Sequence, residues 1–113
     1  INELMVNGAK SVVLLHCTTS YPAPLEAINL KAIKTLANTF KLPVGFSDHT
    51  SGILGTLTSV SFGANIVERH FRDPRNKPGP DDIHSLTKDE FVNKFDADFK
   101  KYFTYLKQKH PSL

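Results

Sequence analysis

"PVGFSDHTSG", residues 43–52, begins as an apolar strand and turns polar at its centre. Pro43 needs no ladder partner at the first position of a strand, and Val44 and Phe46 suit a buried one. Ser47, Asp48, His49 and Thr50 follow, and then apolar positions resume at helical spacing. "ANIVERHF", residues 64–71, repeats the arrangement, with Ile66 and Val67 giving way to Glu68, Arg69 and His70. Side chains alternate across a strand, so Gly45, Ser47 and His49 share one face while Val44 and Phe46 take the other. In the second stretch Ile66, Glu68 and His70 share a face opposite Val67, Arg69 and Phe71. The apolar faces suit packing against helices. The Ser/His and Glu/His faces would then look into the middle of a barrel. Arg69 breaks this division and is expected to reach the rim and pair with an acid.

Working outward, "SVVLLHC", residues 11–17, is a continuous apolar run, as expected of a parallel strand covered on both faces. The opening "INELMVNGAK" reads as the end of a helix stopping at Asn7-Gly8, and we expect a segment cut from a longer protein. "TTSYPAP" is a loop. From Leu25, apolar residues at Ile28, Ala32, Ile33, Leu36 and Phe40 predict a helix. Thr50 or Ser51 can cap the next helix, which carries Ile53, Leu54, Leu57 and Val60 and stops at Gly63. "RDPRNKPGPDDIHS" is a loop too long to be a minimal connector. Thr87 and Glu90 spell a capping box for a last helix, where Phe91, Phe95, Phe99 and Phe103 form a stripe expected to pack on a sheet. Three strands alternating with three helices mean an α/β fold with a parallel sheet. Its right-handed crossovers put the helices on one side of a curving sheet or on both sides of a flat one.

The bulk composition agrees with this reading. The chain has 113 residues, 40% hydrophobic and 22% charged, which argues against disorder and suits one small domain or part of a larger one. A net charge of +3 could suit an anionic substrate but reads first as a solvated surface, and no nucleic-acid partner is expected. No apolar stretch is long enough to cross a membrane. The single cysteine, Cys17, cannot form an internal disulfide, which points to a reducing, cytoplasmic setting.

His49 and His70 both stand at or next to the ends of their strands. If the strands are neighbours, about 5 Å apart, the two histidines could bind one metal ion at the carboxyl end of the sheet, where parallel folds keep their active sites. Each could equally be a hydrogen-bonded structural residue, and the residues alone leave both readings open. His16 reads as a satisfied structural histidine and Cys17 as a small packing residue. His84 and His110 receive no role.

"LLHCTTSYPAP", "PVGFSDHTSG", "ERHF", "KPGPD" and "SLTKDEF", in this order and spacing, closely resemble the bacterial-type sialic acid (N-acetylneuraminate) synthases from Gly8 to Phe95. The resemblance implies a (β/α)8 TIM barrel of which residues 1–113 hold the last three β-α units. The earlier strands and the family's C-terminal antifreeze-like domain would lie outside. It further implies condensation of phosphoenolpyruvate with an N-acetylmannosamine-type sugar, assisted by Mn2+ or Mg2+, in a cytoplasmic homo-oligomer. By the same resemblance His49 and His70 are the metal ligands, and Ser47 and Thr19 hold phosphoenolpyruvate. Tyr21 contacts the sugar or the nascent product, Glu68 completes the metal and substrate network, and Asp81 lies near the sugar hydroxyls. Arg72 and Asp82 depart from the family pattern, where threonine and histidine are usual. The expected upstream lysines would lie outside the chain. The isolated chain could then be an inert, self-associating half-barrel. A metal-dependent hydrolase or aldolase on a similar barrel is a remoter reading.

Overall fold

The computed structural model describes residues 1–109, with backbone alone at positions 94, 95, 103, 106 and 107. Helix α1 (Asn2–Val6) has no buried residue and stops at Asn7, after which Gly8 takes a left-handed φ of 93°. Strand β1 (Leu14–Cys17) leads through the proline loop to a 3-10 turn (Leu25–Ala27) and helix α2 (Lys31–Phe40). Strand β2 (Val44–Asp48), helix α3 (Leu54–Ser61) and strand β3 (Val67–Arg69) follow. A second 3-10 turn (Asp82–His84) interrupts the long loop, and a π-helical stretch (Glu90–Phe95) runs into helix α4 (Asp96–Lys109).

The three strands form a parallel sheet in the order β1-β2-β3, which is the expected α/β architecture. Leu14 pairs with Val44 and Cys17 with Ser47; on the other side Ser47 pairs with Glu68 and Asp48 with Arg69. Only β2, flanked on both edges, is buried throughout. β1 alternates instead, because Leu15 and Cys17 lie on an open face, so the expectation of cover on both faces fails for this strand.

Both α2 and α3 lie against the face carrying Val44, Phe46 and Asp48. The core gathers Ala23, Ile28, Leu30, Ile33, Val44 and Phe46, with Leu36, Phe62 and Ala64 packed on it. The opposite face exposes Leu15 and Ile66 by 39% and 44%. With α2 and α3 on the same side, the sheet matches the curving-sheet alternative. Gly45 is the close-approach point, since a Cβ there would sit 2.6 Å from the Ile66 carbonyl oxygen and 2.6 Å from Leu15.

Several local expectations need correction. The helix expected from Leu25 is broken by Asn29 at a left-handed φ of 38°, so α2 starts only at Lys31. Neither Thr50 nor Ser51 caps α3, whose N-cap is Ile53 without a side-chain bond. Its buried residues are Gly55, Thr56 and Ser59, while Leu54 is exposed. The helix meets β2 through small and polar side chains because its neighbour there is the carboxylate of Asp48. The capping box forms as expected: Thr87 N donates to Glu90 Oε2 at 2.9 Å, and Glu90 N donates to Thr87 Oγ1 at 3.3 Å. Of the phenylalanine stripe, the side chains of Phe95 and Phe103 lie outside the described residues, and Phe91 meets Phe71. No described helix is long and apolar enough to cross a membrane.

Candidate functional site

Asp48 and Arg69 face the helices, so their chain successors His49 and His70 turn to the other side. Arg69 does pair with an acid, but the pair is buried rather than at the rim: Nη1 donates to Asp48 Oδ2 at 2.7 Å, with side-chain exposures of 1% and 0%. Thr56 Oγ1 and the Thr50 amide also donate to Asp48, at 2.5 and 2.9 Å. Arg69 Nη2 donates to the Thr50 and His84 carbonyls at 2.8 and 3.0 Å. Burial lowers the Arg69 pKa, and the charge and hydrogen bond of Asp48 work against that shift. This clasp fixes the ends of β2 and β3 and, through the His84 carbonyl, the loop that crosses them.

Above the clasp, three imidazoles and a phenol crowd together. The His49 and His70 ring centroids are 5.1 Å apart, and those of His70 and His84 are 4.7 Å apart. Tyr21 stands 4.4 Å from His49 and 5.5 Å from His84, ring to ring. The Ala23 amide donates to the His49 carbonyl at 2.9 Å, which ties the proline loop to β2 and carries Tyr21 over the ring. His49 Nδ1 lies 3.3 Å from the Thr18 carbonyl oxygen and 3.6 Å from Cys17 Sγ. A carbonyl can only accept, so Nδ1–H donates and Nε2 keeps its lone pair for the site.

Asp81 stands between the other two rings. Its Oδ2 is 3.7 Å from His70 Nδ1 and its Oδ1 is 3.7 Å from His84 Nε2. His70, Asp81 and His84 offer donor atoms that all lie within 4.8 Å of one another, a set of imidazole and carboxylate ligands that suits a divalent cation. Burial lowers the His84 pKa, with the nearby His70 ring adding to the effect, which favours the neutral imidazole and its one free lone pair. On the same face, one step back along the strands, Ser47 Oγ donates to Glu68 Oε1 at 2.6 Å.

Of the residues singled out in the sequence, His49, His70, Tyr21 and Asp81 meet at one place, and Ser47 and Glu68 pair beside it. Thr19 is exposed, and its neighbour Thr18 is the residue that touches His49. His16 is a satisfied structural histidine, with Nε2–H donating to the Ile28 carbonyl at 2.7 Å. Cys17 is exposed on the open face rather than packed. His84 was missed. The signal for it is Asp81-x-x-His84 in a loop, since residues three apart eclipse on a 3-10 turn. His110 lies outside the described residues.

Comparison with known proteins gives consistent matches. The profile of the NeuB family matches residues 1–109. An uncharacterized protein of Methanocaldococcus jannaschii is 51% identical over 91 residues, covering 80% of this chain and 27% of its own length. The N,N'-diacetyllegionaminic acid synthase of Campylobacter jejuni is 50% identical over 92 residues, covering 80% of this chain and 28% of the synthase. The chain therefore spans between a quarter and a third of the length of these curated relatives. The crystal structure of the N-acetylneuraminic acid synthetase of Leptospira borgpetersenii, in complex with citrate, superposes with a TM-score of 0.73 at 36% identity. That match covers 83% of this chain and 33% of the synthetase.

Proposed function

This chain belongs to the NeuB family, and from that premise we propose that it forms the last three β-α units of a TIM-barrel synthase, residues 1–113. The parent protein would condense phosphoenolpyruvate with N-acetylmannosamine or a related N-acetylhexosamine to give a nine-carbon 2-keto sugar acid. The new bond joins the methylene carbon of phosphoenolpyruvate to the sugar aldehyde carbon; water adds at the former enol carbon, and inorganic phosphate leaves. The observation that carries the reading is the pairing of His49 with His70, 5.1 Å apart at the ends of adjacent parallel strands.

Phosphoenolpyruvate is a weak carbon nucleophile; His49 and His70 would hold a divalent ion (Mn2+ or Mg2+), which would supply Lewis acidity at the aldehyde. His49 presents Nε2 because Thr18 occupies its other nitrogen. Ser47 and Thr19 hold phosphoenolpyruvate. The Ser47 hydroxyl exchanges its 2.6 Å hydrogen bond to Glu68 for one to a substrate oxygen, which leaves Glu68 to complete the metal and substrate network. Asp81 takes the sugar hydroxyls, and Tyr21 covers the site and limits water. Homologous synthases supply the reaction class, and a cytoplasmic homo-oligomer is the setting proposed with it.

The test is phosphate release by the intact protein from phosphoenolpyruvate in the presence of Mn2+ and hexosamine-type acceptors. Release that depends on both sugar and cation is expected. No turnover with any such acceptor overturns the reading.

A second reading applies to the 113-residue chain alone: a catalytically inert half-barrel that self-associates. The open face bearing Leu15 and Ile66, and the outer edges of β1 and β3, favour it. Sizing should give a dimer or larger species, and a monomer with one cooperative thermal transition would contradict it.

A further inference from the structure

His84 is 1% exposed, and neither of its ring nitrogens has a hydrogen-bond partner among the described residues. His16 shows the contrast within one chain: as a structural histidine, it places Nε2 at 2.7 Å from a carbonyl oxygen. Buried polar groups are nearly always paired, and one that is not calls for a ligand or an ion. His84 Nε2 stands 3.7 Å from Asp81 Oδ1, beyond hydrogen-bond reach. The other carboxylate oxygen stands at the same 3.7 Å from His70 Nδ1. Donors bound to one cation at about 2.1 Å sit roughly 3–4 Å apart, so these separations fit a shared ion better than they fit direct hydrogen bonds.

From this geometry we infer that His84 and Asp81 are protein ligands of the divalent cation at His70. The ion is then held by the His49 and His70 imidazoles of the proposed function, joined by the His84 imidazole and the Asp81 carboxylate. This rests on the cation assigned under the proposed function and deepens it. The set is preorganised. Asp81 and His84 eclipse on one 3-10 turn, Arg69 holds the His84 carbonyl at 3.0 Å, and the Leu86 amide donates to the His70 carbonyl at 2.9 Å. Imidazole nitrogen donors favour Zn2+, Co2+ or Mn2+ over Mg2+, which prefers oxygen ligands and retains its waters.

Calorimetric titration of the intact, metal-free protein with Zn2+, Mn2+ and Mg2+ tests this. Wild type should bind Zn2+ and Mn2+ far more tightly than Mg2+. Loss of an outer-shell partner alone costs about 10–100-fold in affinity, so His84→Phe should weaken Zn2+ binding by on the order of 100-fold or more. Circular dichroism checks that this variant folds. Independently of any variant, the ring nitrogens of His84 in the 15N-labelled wild type should shift on adding Zn2+. Unchanged Zn2+ affinity in folded His84→Phe, or unshifted His84 nitrogens at saturating Zn2+, overturns the inference. If His49→Ala and His70→Ala still weaken binding in that case, the cation assignment stands without it. A wild type that binds no cation overturns both.

Discussion

Asp48 ties together the elements beneath the candidate site, although it has no part in the proposed substrate contacts. Its carboxylate accepts from Arg69, Thr56 and the Thr50 amide, and Arg69 passes the constraint to the His84 carbonyl. Removing one partner of a buried pair leaves the other charge uncompensated, so Asp48→Ala should cost about 3–5 kcal/mol. Chemical denaturation of wild type and variant measures it, and a loss below about 1 kcal/mol would contradict the clasp. The sequence revealed that Arg69 wanted an acid but not which one. Alternation fixes only the face a side chain takes, whereas the partner depends on the register of β2 with β3, which no local pattern sets. His84 was illegible for a related reason. Its environment is made by residues from three separate segments, and a histidine in a loop carries no periodicity to read.

At the scale of elements, the strands were legible because apolar runs ending in polar clusters leave little choice. Helix boundaries were not, since Asn29 adopts a left-handed conformation that the apolar spacing around it does not announce. Helix α3 misled for another reason: its apolar residues suggested the packing face, yet the face on β2 is the one with room for a carboxylate, formed by Gly55 and Thr56. The contact of β2 with β3 depends on a missing side chain at Gly45. Gly45→Val places its Cβ at 2.6 Å from backbone that cannot move without breaking the Phe46 amide bond to the Ile66 carbonyl. The variant should lower the melting temperature and speed amide exchange at Phe46 and Glu68, and wild-type protection at both amides would show that the close approach is not needed.

For the molecule as a whole, right-handed crossovers combined with the sequential order β1-β2-β3 place α2 and α3 on the same side of the sheet, an arrangement compatible with the proposed barrel wall. The open face could not be foreseen from β1, whose apolar run looks the same whether or not further strands cover it. Four of the candidate residues, His49, His70, Tyr21 and Asp81, come together beyond one end of the sheet, and His84 lies beside them. The most direct measurement is the rate of phosphate release by the intact protein and its His70→Ala variant, across a Mn2+ titration. Wild type should turn over only with sugar and cation both present, while His70→Ala loses the rate by orders of magnitude at every cation concentration. An unchanged rate in His70→Ala, or wild-type turnover indifferent to the cation, would contradict the account.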